Sequence, residues 1–280
     1  MNDRTKPTYL ICVDSDGCAV DSMTIKHKRA FGPAFVEIFQ LHAFEKELLN
    51  EWNCINLYSL DRGINRFQGL AKIVAYTEKH FQEIEDAKFL LQAVQEAPEL
   101  NVSVFENHYL ETGKMIFKQA IDYSNRVNQL IEAIPENEIT TFDYVADSLK
   151  KASTFGKIVV VSSANKAAVE EEWHRLALSP YVDQFFTQED GTKSQIIAHL
   201  KKEGGYEQHQ ILKIGDAIGD YEAAKVNQVA FYPILVNQES TSWQRLLDHY
   251  FSIFVSGDFN NVRHELNQGF LENLTKGEQV

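Results

Sequence analysis

Three short apolar runs, each ending in polar residues and each followed by a helical pattern, limit what this chain can fold into. They are Tyr9–Val13, Ile158–Val161 and Ile211–Ile214. All are mostly aliphatic or β-branched, as expected of strands covered on both faces in a parallel sheet. Their alternation with helices predicts an α/β domain built on a mainly parallel sheet. A fourth run, Ala230–Val236, carries Pro233, which suits an edge strand or a bulge. Phe251–Val255 is a fifth candidate, and Phe185–Thr187 reads as a very short extra strand.

The stretch from Val20 to about Glu138 has a different rhythm, helix after helix without a convincing strand. Met115, Ile116, Ala120, Tyr123, Val127, Leu130 and Ile131 recur at three- and four-residue steps, as do Leu70, Ile73, Val74 and Thr77. Gly32-Pro33 predicts a break, with Pro33 opening a new helix. Pro135-Glu136-Asn137 reads as the return linker. The expected organisation is a sheet domain from residues 1–20 and 139–280, interrupted by an all-helical domain at 21–138.

A formal charge of −13 argues against a nucleic-acid partner. A small anionic substrate would need local positive charge or a metal to overcome the general field. Cys12, Cys18 and Cys54 form no metal-ligand or redox spacing. With a polar lead-in at residues 1–8 and no signal peptide, they fit a reducing cytoplasm. No apolar stretch approaches the roughly 18 residues that a membrane span needs.

Residues able to do chemistry cluster where strands should end, which is where open α/β sheets bind ligands. The first run delivers Asp14-Ser15-Asp16-Gly17, the second Ser162-Ser163-Ala164-Asn165, the third Gly215-Asp216-Ala217-Ile218-Gly219-Asp220. Taken singly, each has an ordinary explanation: an Asp/Gly turn, a helix N-cap at Ser162–Asn165, a loop acid with a capping acid. Lys193 opens a helical stretch, where a cation opposes the helix dipole, although one lysine is by default a solvated one. The conjunction carries the weight: acid pair, hydroxyl, lysine and acid pair, in order, each at a strand end or helix start. Two acid pairs close enough to share a hard cation, and a hydroxyl beside helix N–H groups, point to phosphate and Mg2+.

In these four motifs the sequence resembles the haloacid dehalogenase-like hydrolase superfamily. The resemblance spans about Tyr9–Val20 and Phe142–Val255 and implies a Rossmann-like core. The helical insertion resembles the cap of the phosphoglycolate phosphatase and β-phosphoglucomutase branch, although it is longer. Cys18 stands where threonine or valine is common, and Lys193-Ser194 where lysine-proline is common; neither removes a catalytic group.

The resemblance implies Asp14 as nucleophile and Asp16 as general acid and base, with an environment that raises the Asp16 pKa. It implies Mg2+ held by Asp14, the backbone carbonyl of Asp16 and Asp216, with Asp220 assisting. Ser162 and Lys193 complete the catalytic set, while Gly17, Ser163 and Asn165 would contact the phosphoryl group. In the cap, Arg62 and Arg66 are candidates for a carboxylate or second phosphate, though solvated arginines explain them equally well. Lys26, His27 and Arg29 read as a solvated face. Tyr76, Phe81 and Phe89 read as cap core, and Trp173 and Trp243 as packing residues.

The expected function is hydrolysis of a small phosphorylated metabolite by a monomer or homodimer. Two alternatives stand beside it: a β-phosphoglucomutase-like transferase using the same aspartyl-phosphate, and a catalytically silent phosphate-ligand-binding protein. Asp16 speaks against a dehalogenase, which has no ester leaving group to protonate.

Overall fold

The structure is a computed structural model and describes residues 9–276; the polar lead-in and the last four residues lie outside the described residues. In chain order, β1 (Tyr9–Val13) and β2 (Val20–Asp21) precede a run of helices. These are α1 (Met23–Lys26), α2 (Gly32–Ile38), α3 (Glu45–Leu57), α4 (Arg66–His80), α5 (Ala87–Glu96), α6 (Val102–Thr112) and α7 (Met115–Glu132). Then follow β3 (Thr140–Thr141), α8 (Val145–Ala152), β4 (Gly156–Val161), α9 (Lys166–Arg175), β5 (Gln184–Phe186) and α10 (Lys193–Gly204). The chain ends with β6 (Ile211–Gly215), α11 (Ile218–Asn227), β7 (Ala230–Pro233), α12 (Glu239–Arg245), α13 (Phe251–Ser256) and α14 (Asn260–Lys276). Contacts divide this chain into two compact units, one from the residues up to Ser22 with Ile139–Leu274, the other chiefly Met23–Glu138.

The first unit is an α/β domain around a five-stranded parallel sheet of order β5-β4-β1-β6-β7. Its middle strands are buried on both faces, and the apolar runs have no other place to go. Register decides what meets at the top of the sheet. Val13 lies opposite both Val160 and Ile214, so the loops after β1, β4 and β6 emerge side by side. After β5 the chain crosses to the far side of β1, making the carboxyl end of β1 a switch point, where such sheets bind ligands. Pro233 closes β7 at the sheet edge, where its missing N–H leaves no ladder bond unmade. Where the chain leaves and re-enters this unit, β2 and β3 pair antiparallel.

Phe251–Val255, expected as a strand, is instead helical, in α13. Phe251 and Phe254 are buried while Val255 is exposed, a three-residue period rather than an alternation. The helix α14 runs on to Lys276.

The second unit consists of helices joined by turns and loops, with no strand among its described residues, around a core that includes Phe35, Leu48, Trp52, Phe67, Leu70, Ile73, Val74, Phe105 and Tyr123. Gly32-Pro33 does not open a fresh helix. Residues His27–Phe31 form a π-helical turn that joins α1 to α2, with the Gly32 N–H bonded to the His27 carbonyl. A five-residue reach at this point lets a helix pass a proline that cannot donate and would crowd the carbonyl four residues back. His27 is drawn into the core: its Nδ1 accepts from Trp52 Nε1 at 3.1 Å and its ring stacks on Phe31. Arg29 donates to Glu138 at 2.9 Å. Tyr76, Phe81 and Phe89 pack against the core, as expected. Among the described residues, no helix is long and apolar enough to cross a membrane.

Candidate active site

The loop after β1 is held from several directions. The Ser15 carbonyl accepts N–H bonds from Cys18, Ala19 and Val20 at 3.2, 3.0 and 3.0 Å. So tight a curl needs a left-handed residue, and Gly17 supplies it at φ 76°. Two buried tryptophans fasten the curl to surrounding helices. Trp173 Nε1 donates to Ser15 Oγ and Trp243 Nε1 to the Cys18 carbonyl, each at 2.8 Å. Both tryptophans do more than pack: an indole buried with its N–H must find an acceptor, and here the acceptors belong to the loop after β1. At the base, the Asp14 N–H bonds the Ile214 carbonyl at 3.0 Å, tying the first acid to the strand that carries the third motif.

Asp14, Asp216 and Asp220 converge, all buried, each offering an oxygen within 4.8 Å of the others. Gly215 makes room for this: a Cβ there would stand 2.3 Å from Asp220 Cγ. Asp220 also accepts from the Ala217 N–H at 3.3 Å. Lys193, the first residue of α10, places Nζ 2.7 Å from Asp14 Oδ2 and 2.7 Å from Asp220 Oδ1. Its unfavourable position at a helix N-terminus is offset by these two carboxylates.

Asp16 is half-buried and accepts a hydrogen bond from the Ser22 hydroxyl. Ser162 follows β4, next to β1 in the sheet; its N–H bonds the Phe186 carbonyl at 3.0 Å, and its Oγ accepts from the Ala164 N–H at 3.2 Å. Ser163 is exposed. Asn165 is the N-cap of α9, accepting from Ala168 at 3.3 Å and donating Nδ2 to Glu189 at 2.9 Å.

The two arginines expected to contact substrate are engaged within the helical unit's own framework. Arg62 is buried, with Nη1 donating to the Leu57 carbonyl at 2.9 Å. Arg66 donates Nη1 to Ser124 Oγ at 3.2 Å and Asn128 Oδ1 at 2.8 Å, and its guanidinium lies over the Phe31 ring. A guanidinium meeting backbone and amide oxygens stabilises helix packing, so these contacts explain both residues without a ligand.

One residue of the cluster escaped the sequence reading. Lys213, in the middle of β6, is fully buried and ion-paired to Asp220 Oδ1 at 2.8 Å. Asp220 Oδ1 therefore receives two ammoniums. A charged residue inside a run buried on both faces must find a buried counter-charge, and that is the signal that identifies it.

Electrostatics separate the acids. Burial pushes Asp14 up to about 7, with Asp220 and Asp216 adding to the rise and Lys193 and Lys213 opposing it. Burial acts on Asp220 in the same direction, but the ammoniums of Lys193 and Lys213 overcome it and hold its carboxyl well below the usual range. Lys193, despite burial, is raised by Asp14 and Asp220 and stays an ammonium. Three hard carboxylates at one point, partly neutralised by lysine, form a donor set suited to a divalent cation.

Comparison of the sequence with curated proteins finds no match. A profile described as haloacid dehalogenase-like hydrolase matches residues 64–234, which include Ser162, Lys193, Asp216 and Asp220. Among solved structures, a candidate β-phosphoglucomutase from Thermotoga maritima is similar at TM-score 0.53 and 14% identity, covering 88% of this chain and 99% of that one. A hydrolase from Pseudomonas syringae gives TM-score 0.53 and 16% identity over the same shares of the two chains. At such identities these two structures speak for the fold alone. The profile spans more than half of the chain and includes the motifs at the ends of β4 and β6 together with Lys193 at the start of α10: the chain belongs to the haloacid dehalogenase-like hydrolase family.

Proposed function

We propose that the protein is a Mg2+-dependent phosphatase that hydrolyses a small phosphomonoester through an aspartyl-phosphate on Asp14. The observation that carries this reading is the position of Asp14. Its carboxylate lies 2.7 Å from Lys193 Nζ and within the three-acid cluster, while Asp16 stands two residues away on the same curled loop.

A phosphate monoester is a dianion, so catalysis is mostly a matter of positioning and of charge neutralisation. In the first step, Asp14 forms a bond to phosphorus as the bond to the ester oxygen breaks. Asp16 gives that oxygen a proton, and the alcohol leaves. In the second, Asp16 takes a proton from water, the water oxygen bonds phosphorus, and the Asp14–phosphorus bond breaks to return the carboxylate. Ser162 and the neighbouring backbone N–H groups hold the phosphoryl oxygens. Lys193 balances Asp14 and the incoming phosphate. Asp14, the Asp16 carbonyl and Asp216, with Asp220 beside them, would hold Mg2+, which would supply charge neutralisation between nucleophile and phosphoryl group.

A panel of sugar phosphates, phosphorylated small acids and nucleoside monophosphates, assayed for phosphate release with and without Mg2+, tests the reading. Release of phosphate from at least one ester, lost on chelation, is expected. Sugar-phosphate isomers interconverting without net release would establish a mutase instead; tight Mg2+-dependent binding with no turnover of any ester would establish a silent binding protein.

Metal binding should depend on pH with a defined sign. In the metal-free protein Asp14 holds its proton below about 7. Binding there must expel that proton, so apparent Mg2+ affinity rises with pH and levels off above about 7. Calorimetric titrations at several pH values, in buffers of different ionisation heat, read both the affinity and the proton released. An affinity flat from acid to neutral pH would exclude Asp14 as a protonated ligand precursor.

A further inference from the structure

We infer that Lys213 is a fixed counter-charge that sets the division of affinity between the divalent cation and the phosphate, acting through Asp220 as a positioning residue. The inference rests on the phosphatase reading and adds to it a determinant of the same site. Lys213 lies in β6, is fully buried, and reaches both Asp220 Oδ1 at 2.8 Å and the Ile214 carbonyl at 3.2 Å. Lys193 is placed differently. It enters from a helix start, touches Asp14 as well as Asp220, and keeps some exposure. Lys193 is thus placed to follow charge arriving at Asp14, whereas Lys213, walled in by the sheet, stays with Asp220.

With Asp14 ionised, Asp14, Asp216 and Asp220 against Lys193 and Lys213 leave one net negative charge. A divalent cation turns that into one net positive charge, which favours a phosphate dianion. Without Lys213 the loaded site would be neutral: the cation would bind more tightly and phosphate more weakly. A lysine serving only to fill space would not move the two affinities in opposite directions.

The test is a double-mutant cycle with Lys213→Met, which keeps length and apolar bulk, and Asp220→Asn. Mg2+ affinity is measured by calorimetry, and inorganic phosphate affinity likewise at saturating Mg2+. Lys213→Met should tighten Mg2+ and weaken phosphate, each by about tenfold, the scale of one unit charge a few ångströms away in a partly screened site. The double variant restores the charge count and should return phosphate affinity to within about threefold of the parent. Both affinities unchanged, or both weakened with native thermal stability, overturns the inference. Should the single variant not fold, Asp220→Asn is compared with the double variant, in which the buried pair is removed together; equal phosphate affinities there overturn it too. The phosphatase reading is judged separately, by turnover of the unmodified protein, so the two can fail independently.

Discussion

Replacing Asp14 by asparagine is expected to lower kcat by on the order of 10⁴-fold or more, because the amide cannot form the phosphoryl bond that the mechanism requires. Loss of the nucleophile should not resemble loss of the fold. The substituted amide would keep the shape that the β1 loop demands, with the backbone bond to Ile214 and the tryptophan anchors untouched. The metal-free variant should even gain stability at neutral and higher pH. Burial raises the Asp14 pKa to about 7, above its unfolded value, so ionising it costs folding free energy increasingly as pH rises through that range. Asparagine removes this cost, offset in part by the lost partnership with Lys193. Turnover assays and thermal melts on the same preparation check the pair of outcomes. Activity retained above about a hundredth of the parent would exclude Asp14 as the attacking group.

The second large effect is expected at Asp16. Asp16→Asn should reduce kcat by about 10²- to 10⁴-fold, the range for a lost general acid and base. The loss should depend on the leaving group. An aryl phosphate with an acidic phenol needs little protonation, so its first step survives, while an alkyl phosphate loses both steps. With the aryl ester the second step becomes limiting, and the phosphoenzyme should accumulate in a burst. Rapid-quench kinetics on both esters read this contrast; equal losses for the two would mean that Asp16 does not protonate the leaving oxygen.

Much of this arrangement could be read from residue patterns, for identifiable reasons. Tyr9–Val13 and Ile211–Gly215 are buried on both faces, and parallel strands of that kind announce themselves as largely apolar runs, interrupted in the second only by Lys213. Their acid-bearing loops were therefore legible, as was the helical character of 23–138. What failed to show has equally specific causes. Phe251–Val255 is as apolar as a strand, and only the burial of Phe251 and Phe254 three residues apart, against a larger neighbourhood, reveals α13. Gly32-Pro33 carries a breaker's signal, but tertiary packing around Trp52 and His27 holds the helix together through a π turn. Arg62 and Arg66 look free in sequence because their acceptors lie on other turns and helices. Lys213 was hidden by its strand, and the tryptophan anchors by their distance from the loop they hold, since Trp243 and Cys18 are 225 residues apart.

The most direct measurement is the chemical identity of the phosphorylated residue. Asp16→Asn enzyme mixed with Mg2+ and a labelled aryl phosphate is quenched in acid, in which an acyl phosphate survives, then reduced with borohydride and mapped by peptide mass. Label released by hydroxylamine, and a reduced residue at position 14, is the predicted result. Label on another side chain, or turnover of the parent enzyme with no phosphoenzyme at any quench time, would contradict it.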